Sequence, residues 1–323
     1  VKGHHLGLYF DPPAPGPGGK PPEPLTLVPR GDTAAGQDAL IDVDGGSLEV
    51  VGGRLRCAGR SLPGHVLRVR RGDLRLLRCR LEGPQTELPK GYRGLVRFEG
   101  AGKVRAEKAP ACALKACVLE SGGHAVEVAG AGARLYVKGC VVLTAGDALR
   151  LDPGDSPPPR LNVTCSLEGN TIATSGSVLH LADAPDRAGP VGPTVVRADR
   201  NLFLDPFHTQ TAHASGLLRF DGAALPRGLL LWQGQDNGFD VMRLHDYAVP
   251  TGKDPPRQAF PVWARLWGPL GELRPRLLDL SRLPTEFRPR LTQLQLPPPL
   301  RPGKDEPPLG ADLEALGIIP GKK

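Results

Sequence analysis

The sequence predicts an all-β fold: a right-handed parallel β-helix (solenoid) of about seven rungs, with an irregular Pro-rich C-terminal tail. Three observations carry this prediction. Two different short apolar patterns alternate in fixed order along residues 38–240. One position of the second pattern is filled first by cysteines and then by asparagines. The composition, with 42 glycines and 36 prolines in 323 residues and only 5% aromatics, fits many short aliphatic strands joined by many turns.

Residues 1–36 are rich in Pro and Gly, and the run LTLV at 25–28 reads as one extra strand. This stretch is expected to be a linker or an incomplete first rung. The first pattern begins after it, as an apolar residue, a polar one and another apolar one. It reads LIDV (40–43), VLRV (66–69), LVRF (95–98), AVEV (125–128), ALRL (148–151), VLHL (178–181) and LLRF (217–220). Alternation with period two turns pairs such as Leu67/Val69, Val126/Val128 and Leu149/Leu151 inward. It turns Asp42, Arg68, Arg97, Glu127, Arg150, His180 and Arg219 outward.

The second pattern is apolar-x-apolar, two residues, a Cys, Asn or Gly, one residue, and a last apolar anchor. It appears as Leu48/Val50/Gly53/Leu55, Leu74/Leu76/Cys79/Leu81, Cys112/Leu114/Cys117/Leu119 and Leu135/Val137/Cys140/Val142. It continues as Cys165/Leu167/Asn170/Ile172 and Val196/Ala198/Asn201/Phe203, with a degraded last copy at Trp232/Gly234/Asn237/Phe239. The return to the first pattern takes seven residues in three successive copies: Leu119 to Val126, Val142 to Leu149 and Ile172 to Leu179. Gly123, Gly146 and Gly176 recur there and are expected to supply a tight turn.

Parallel strands cannot be joined by a two-residue hairpin, whereas a coil pairs each strand with its equivalent one rung away. An antiparallel sandwich would not explain two patterns in fixed alternation, and leucine-rich repeats have a different spacing. Residues 37–240 are therefore expected to form the solenoid. Beyond Phe239 the strand pattern fades, and residues 241–323 are expected to pack on the solenoid or cap it, with Trp263 and Trp267 spaced for one helical face.

The run L-x-[VL]-x-x-[CN]-x-[LVIF], repeated over roughly residues 38–240, resembles the rung signature of right-handed β-helix proteins of the pectin-lyase-like superfamily. The resemblance implies a module of a larger bacterial protein, non-catalytic and used for binding or structural display. The superfamily also holds polysaccharide lyases and glycoside hydrolases. The alternative expectation is therefore a carbohydrate-active enzyme, or a degenerate relative that acts on or binds acidic glycan.

The six cysteines fall into columns of the repeat rather than pairs, so they are expected to be unpaired core residues. Their spacing holds no zinc motif. A glycosidase needs two carboxylates across the scissile bond. The outward column offers only Asp42 and Glu127, rungs apart, and Asp183, Asp186 and Asp199 are expected to sit in a long turn with Pro and Gly. His4, His5, His208 and His213 read as solvated, and no protein-kinase motif is present. No catalytic residue, metal or cofactor is expected. The Asn162 sequon lies within a rung and is discounted.

The net charge of +7 is carried mostly by scattered arginines, with few aromatics between them, which gives nucleic acid no support as a partner. No apolar run is long enough to span a membrane. The chain begins at Val1 rather than Met, so it reads as a fragment or a processed product, and its compartment is not fixed. The one surface feature with binding chemistry is the outward column of Arg68, Arg97, Arg150 and Arg219. Stacked guanidinium groups suit carboxylates or sulfates. The partners weighed for it are an acidic polysaccharide and another domain of the same polypeptide.

Overall fold

The structure is a computed structural model that describes residues 2–10, 26–28, 37–57, 62–85, 88, 90–101, 108–152, 162–182, 193–204, 216–221, 230–240, 247–248, 267–268, 270–278, 309–313 and 315–316. His208, His213, Asp183, Asp186 and Trp263 lie outside the described residues. Among the described residues every strand pairing is parallel, and two sheets of 15 and nine strands wrap one hydrophobic core in a parallel β-helix.

Each rung presents three faces. The first face carries Gly94–Glu99, His124–Ala129, Leu149–Asp152, Ser177–Leu181 and Gly216–Phe220. The second carries Ala111–Lys115, Ala133–Lys138, Val163–Glu168, Thr194–Asp199 and Leu230–Gln235. In the first full rungs both faces lie on one strand, Ala39–Val51 and then His65–Leu77, which join the two arms of the larger sheet. The third face is the nine-stranded sheet, from Thr26–Leu27 to Arg276–Leu278.

The predicted anchors align in register. Leu67, Val96, Val126, Leu149, Leu179 and Leu218 stack on the first face. Leu55, Leu81, Leu119, Val142, Ile172, Phe203 and Phe239 stack on the third. All are buried, and no rung could bury its apolar side without its neighbours.

The repeat reaches beyond both ends of the sequence pattern. Lys2–Tyr9 pairs with Ala39–Val51, so the N-terminal stretch supplies part of a first rung. After position 240, Tyr247–Ala248, Glu272–Leu273 and Arg276–Leu278 add a strand to each face. The last of these rungs was illegible because Glu272 stands where an aliphatic residue is expected. Its carboxylate enters the core opposite Gly234, accepting from Trp232 Nε1 at 2.7 Å and Asn237 Nδ2 at 2.9 Å. A Cβ on Gly234 would lie 1.9 Å from Glu272 Oε2, so the apparent degradation of that copy makes room for the carboxylate.

The Cys/Asn column is one hydrogen-bonded ladder. Asn170, Asn201 and Asn237 each accept, through Oδ1, the backbone N–H of the preceding member: Cys140 at 2.9 Å, Asn170 at 3.0 Å and Asn201 at 2.9 Å. Their Nδ2 groups donate to Val137, Leu167 and Ala198 one rung back. Cysteine fills the same geometry with sulfur, since the Cys117 amide donates to Cys140 Sγ at 3.3 Å and Cys79 Sγ donates to Val50 O at 3.2 Å. All six cysteines are buried and unpaired.

The left-handed residue at this bend is the one before the ladder position: Arg78, Ala116, Gly139, Gly169, Arg200 and Asp236 have φ of 52–62°. Gly123, Gly146 and Gly176 do not take up positive φ. They are glycines because the rungs touch there: a Cβ on Gly123 would lie 2.2 Å from Arg93 O, and one on Gly176 2.7 Å from Gly146 C.

The C-terminal segment covers the outside of the third face. Ala311 and Leu313 pack on Val141, Leu143, Ala173, Leu202 and Leu204. The Ala311 amide donates to Thr171 Oγ1 and the Gly310 amide to Arg200 O, both at 2.9 Å.

Candidate functional site

The first face places the predicted column in one line, with Asp42, Arg68, Arg97, Glu127, Arg150, His180 and Arg219 in consecutive register. The four arginines are thus brought onto one face. Their surroundings divide them into two groups.

In the upstream group, Glu99 is shared. Its Oε1 accepts from Arg68 Nε at 2.9 Å and from Arg97 Nε at 3.1 Å. Arg68 also pairs with Asp38, and Arg97 Nη1 donates to Glu127 Oε1 at 2.6 Å. Glu127 Oε2 reaches back to His65 Nε2 at 3.1 Å, past the intervening rung where Gly94 carries no side chain. Period two sends Glu127 outward, as expected, yet it is 2% exposed. Burial works to raise its carboxyl, but His65 and Arg97 outweigh that and hold it at about 2.

The downstream group is a balanced cluster. His180, also outward but buried, has Nδ1 2.7 Å from Asp147 Oδ2 and Nε2 2.9 Å from Asp221 Oδ2. Burial opposes the charged ring, and the two carboxylates still raise its pKa. Burial would likewise raise Asp147, but the His124 and His180 rings hold it well below the usual carboxylate range. Arg150 Nη1 lies 3.3 Å from His180 Nδ1, and Arg219 pairs with Asp221 at 3.1 Å. Arg219 thus has a carboxylate partner at hand, while Arg150 meets the His180 ring and lies near enough to Asp221 to lower its pKa.

A cavity of about 500 Å³ opens beside the upstream group. Its lining comprises Gln37, Asp38, Leu62, Gly64, His65, Arg68, Lys90, Gly91, Arg93 and Arg97. Four permanent cations and a histidine thus face one carboxylate. Arg68 and Arg97 belong to ion pairs that fix their guanidinium planes, while Lys90 and Arg93 are exposed and make no ion pair among the described residues. A concave site with convergent charge and rigid donors suits a small anionic ligand. Among the described residues no group of three or more His, Cys, Asp or Glu could hold a metal ion.

The sequence reading found Arg68 and Arg97 but missed His65, Lys90 and Arg93. The missed signal was the length of the returns. The returns reaching the first face here are long: Leu55 to Leu67 takes 12 residues and Leu81 to Val96 takes 15, against seven in the regular rungs. Insertions in a solenoid become loops on one side, often the binding side. Another long return, Phe203 to Leu218, runs through residues outside the described set.

The fold and this cavity together define a class, a parallel β-solenoid with a cationic pocket at the upstream edge of its first face. No protein-family model, curated protein or solved structure matches the chain. No helix among the described residues is long and apolar enough to cross a membrane.

Proposed function

We propose that this chain is a non-catalytic β-helix module of a larger bacterial protein that binds an acidic glycan through the upstream part of its first face. One observation carries the reading: four permanent cations and His65 line a single cavity against one carboxylate, Asp38. The likeness of the rungs to the pectin-lyase-like superfamily supports a glycan as the ligand class. The carboxylates of this face, Glu99, Glu127, Asp147 and Asp221, are each held in an ion pair, and Glu127 and Asp147 are buried as well. Among the described residues Asp38 is the one carboxylate that lines the cavity, and a glycosidase needs a pair across the scissile bond, so this arrangement favours binding over hydrolysis.

The test is titration with a uronate polysaccharide and a neutral one of similar size at low salt, where exposed ionic contacts are least screened. The acidic chain binds and the neutral one does not, and the Lys90→Ala/Arg93→Ala double variant loses binding while its melting temperature is unchanged. Equal binding of both polymers, or an unaffected double variant, refutes the proposal. Capture by another domain of the full polypeptide with no glycan binding would instead identify the face as an interdomain contact.

A further inference from the structure

We infer that the cavity takes the end of an acidic chain, one or two sugar residues bearing a carboxylate or sulfate, and not a run of residues laid along the arginine column. This rests on the anion-binding reading above and specifies how it operates.

The column cannot act as one continuous cationic track. Its fourth rung places the buried Glu127 carboxylate directly after Arg97, 2.6 Å from that guanidinium. Past it, Arg150 and Arg219 stand beside the Asp147–His180–Asp221 cluster, which supplies two carboxylates of its own. An anionic chain extended downstream would meet negative charge in the rung after its best contact. Positive charge without an ion pair among the described residues is concentrated instead at Lys90 and Arg93, which lie within the long return from Leu81 to Val96.

The lining also has the chemistry of a hydroxylated anion rather than a bare one. Arg68 and Arg97 face the cavity as fixed donors for the charged group. The Gln37 amide and the Asp38 carboxylate, which is largely exposed, can accept hydrogen bonds from hydroxyls. Leu62 offers an apolar patch to the face of a sugar ring. A volume of about 500 Å³ is in the range of small-molecule sites and well short of a polymer groove. A pocket of this size is filled by the first residues of a chain, and longer ligands gain nothing further from it.

The experiment uses the full chain and glucuronic acid with its oligomers of two, four and ten or more units, measured by calorimetry at low salt. Affinity per molecule is expected to rise from the monomer to the dimer and then to stay within about twofold. Lys90→Ala and Arg93→Ala should each lower it by about tenfold at every length, the scale of one charge-assisted contact. Affinity that climbs with each added unit, with no measurable monomer or dimer binding, overturns the inference while leaving the anion-binding function standing. Failure of every acidic length to bind overturns both.

Discussion

Glu272 makes the last rung a titratable one. Its carboxylate is buried against Trp232 and Asn237, and burial pushes its pKa up to about 7 against the pull of those two hydrogen bonds. The native state therefore binds this proton more tightly than the unfolded chain does. The stability it contributes is fully present below about pH 4.5, the ordinary glutamate range, and is lost as pH rises through about 7. A rise of that size corresponds to about 3 kcal/mol. The perturbation is Glu272→Gln, which keeps the shape and an acceptor oxygen but cannot ionise. At pH 5 the variant should be weaker by about 1 kcal/mol, because its amide nitrogen cannot accept from Trp232 or Asn237. From there to pH 8.5 it should gain on the wild type by up to about 3 kcal/mol. Terminal repeats of a solenoid can open alone, so the readout is local. Amide exchange at Asp236, which donates to Leu273 O, and at Arg276, which donates to Asn237 O, reports whether that rung is docked. An equal difference between variant and wild type at the two pH values, or a wild type that gains on the variant as pH rises, would refute the assignment.

Other substitutions test the first face and the ladder. Arg97→Ala strips the buried Glu127 of its guanidinium and should cost about 3 kcal/mol in urea unfolding. Arg219→Ala, at a half-exposed pair, should stay within about 0.5 kcal/mol. Because Glu127 is held at about 2, the wild type's advantage over Glu127→Gln should be present above about pH 4.5 and shrink as pH falls toward 2. Asn201→Ala orphans the Asn170 amide and the Leu167 carbonyl and should cost about 3 kcal/mol, whereas Asn201→Cys should cost about half of that. The thiols should resist alkylation in the native protein and all six should react in denaturant. Burial lifts Cys57 and Cys165 to about 12, and two or more disulfides would contradict the column.

What the sequence made legible was the interior of the regular rungs. Leu119, Val142 and Ile172 are read correctly because period-two alternation and burial have the same cause, and because each copy repeats the last. The last rung escaped because its inward residue is a glutamate, legible only once Gly234 is known to leave a hole for it. Gly123 and its equivalents were recognised as necessary for the wrong reason: contact between neighbouring rungs leaves no trace in a single return. The outward column was placed correctly but its solvation was not. Burial of Glu127 and His180 depends on partners one or two rungs away in space and over 30 residues away in sequence, His65 and Asp147 among them. The cavity was missed because its loops obey no period at all.

What repeats in this molecule is a cross-section rather than a sequence. Along the second face one inward column shrinks toward the C-terminal end, from Leu167 to Ala198 to Gly234, while its neighbour grows from Cys165 to Val196 to Trp232 and the third-face anchors grow from Ile172 to Phe203 to Phe239. Phe203 stacks on Phe239 with centroids 5.3 Å apart and leans on Trp232 at 6.3 Å, filling the width that the small residues give up. The Cys-to-Asn change in the ladder exchanges one small donor–acceptor for another in the same place. Close packing couples each interior position to the one across from it, so a change on one face requires a compensating change on another. The returns are under no such constraint. Lengthening the two that border the cavity added Lys90 and Arg93 without altering the stack of Leu55, Leu81 and Leu119 beside them. In such a scaffold new binding chemistry can enter only where the cross-section leaves the chain free, and the cationic cavity lies at that edge.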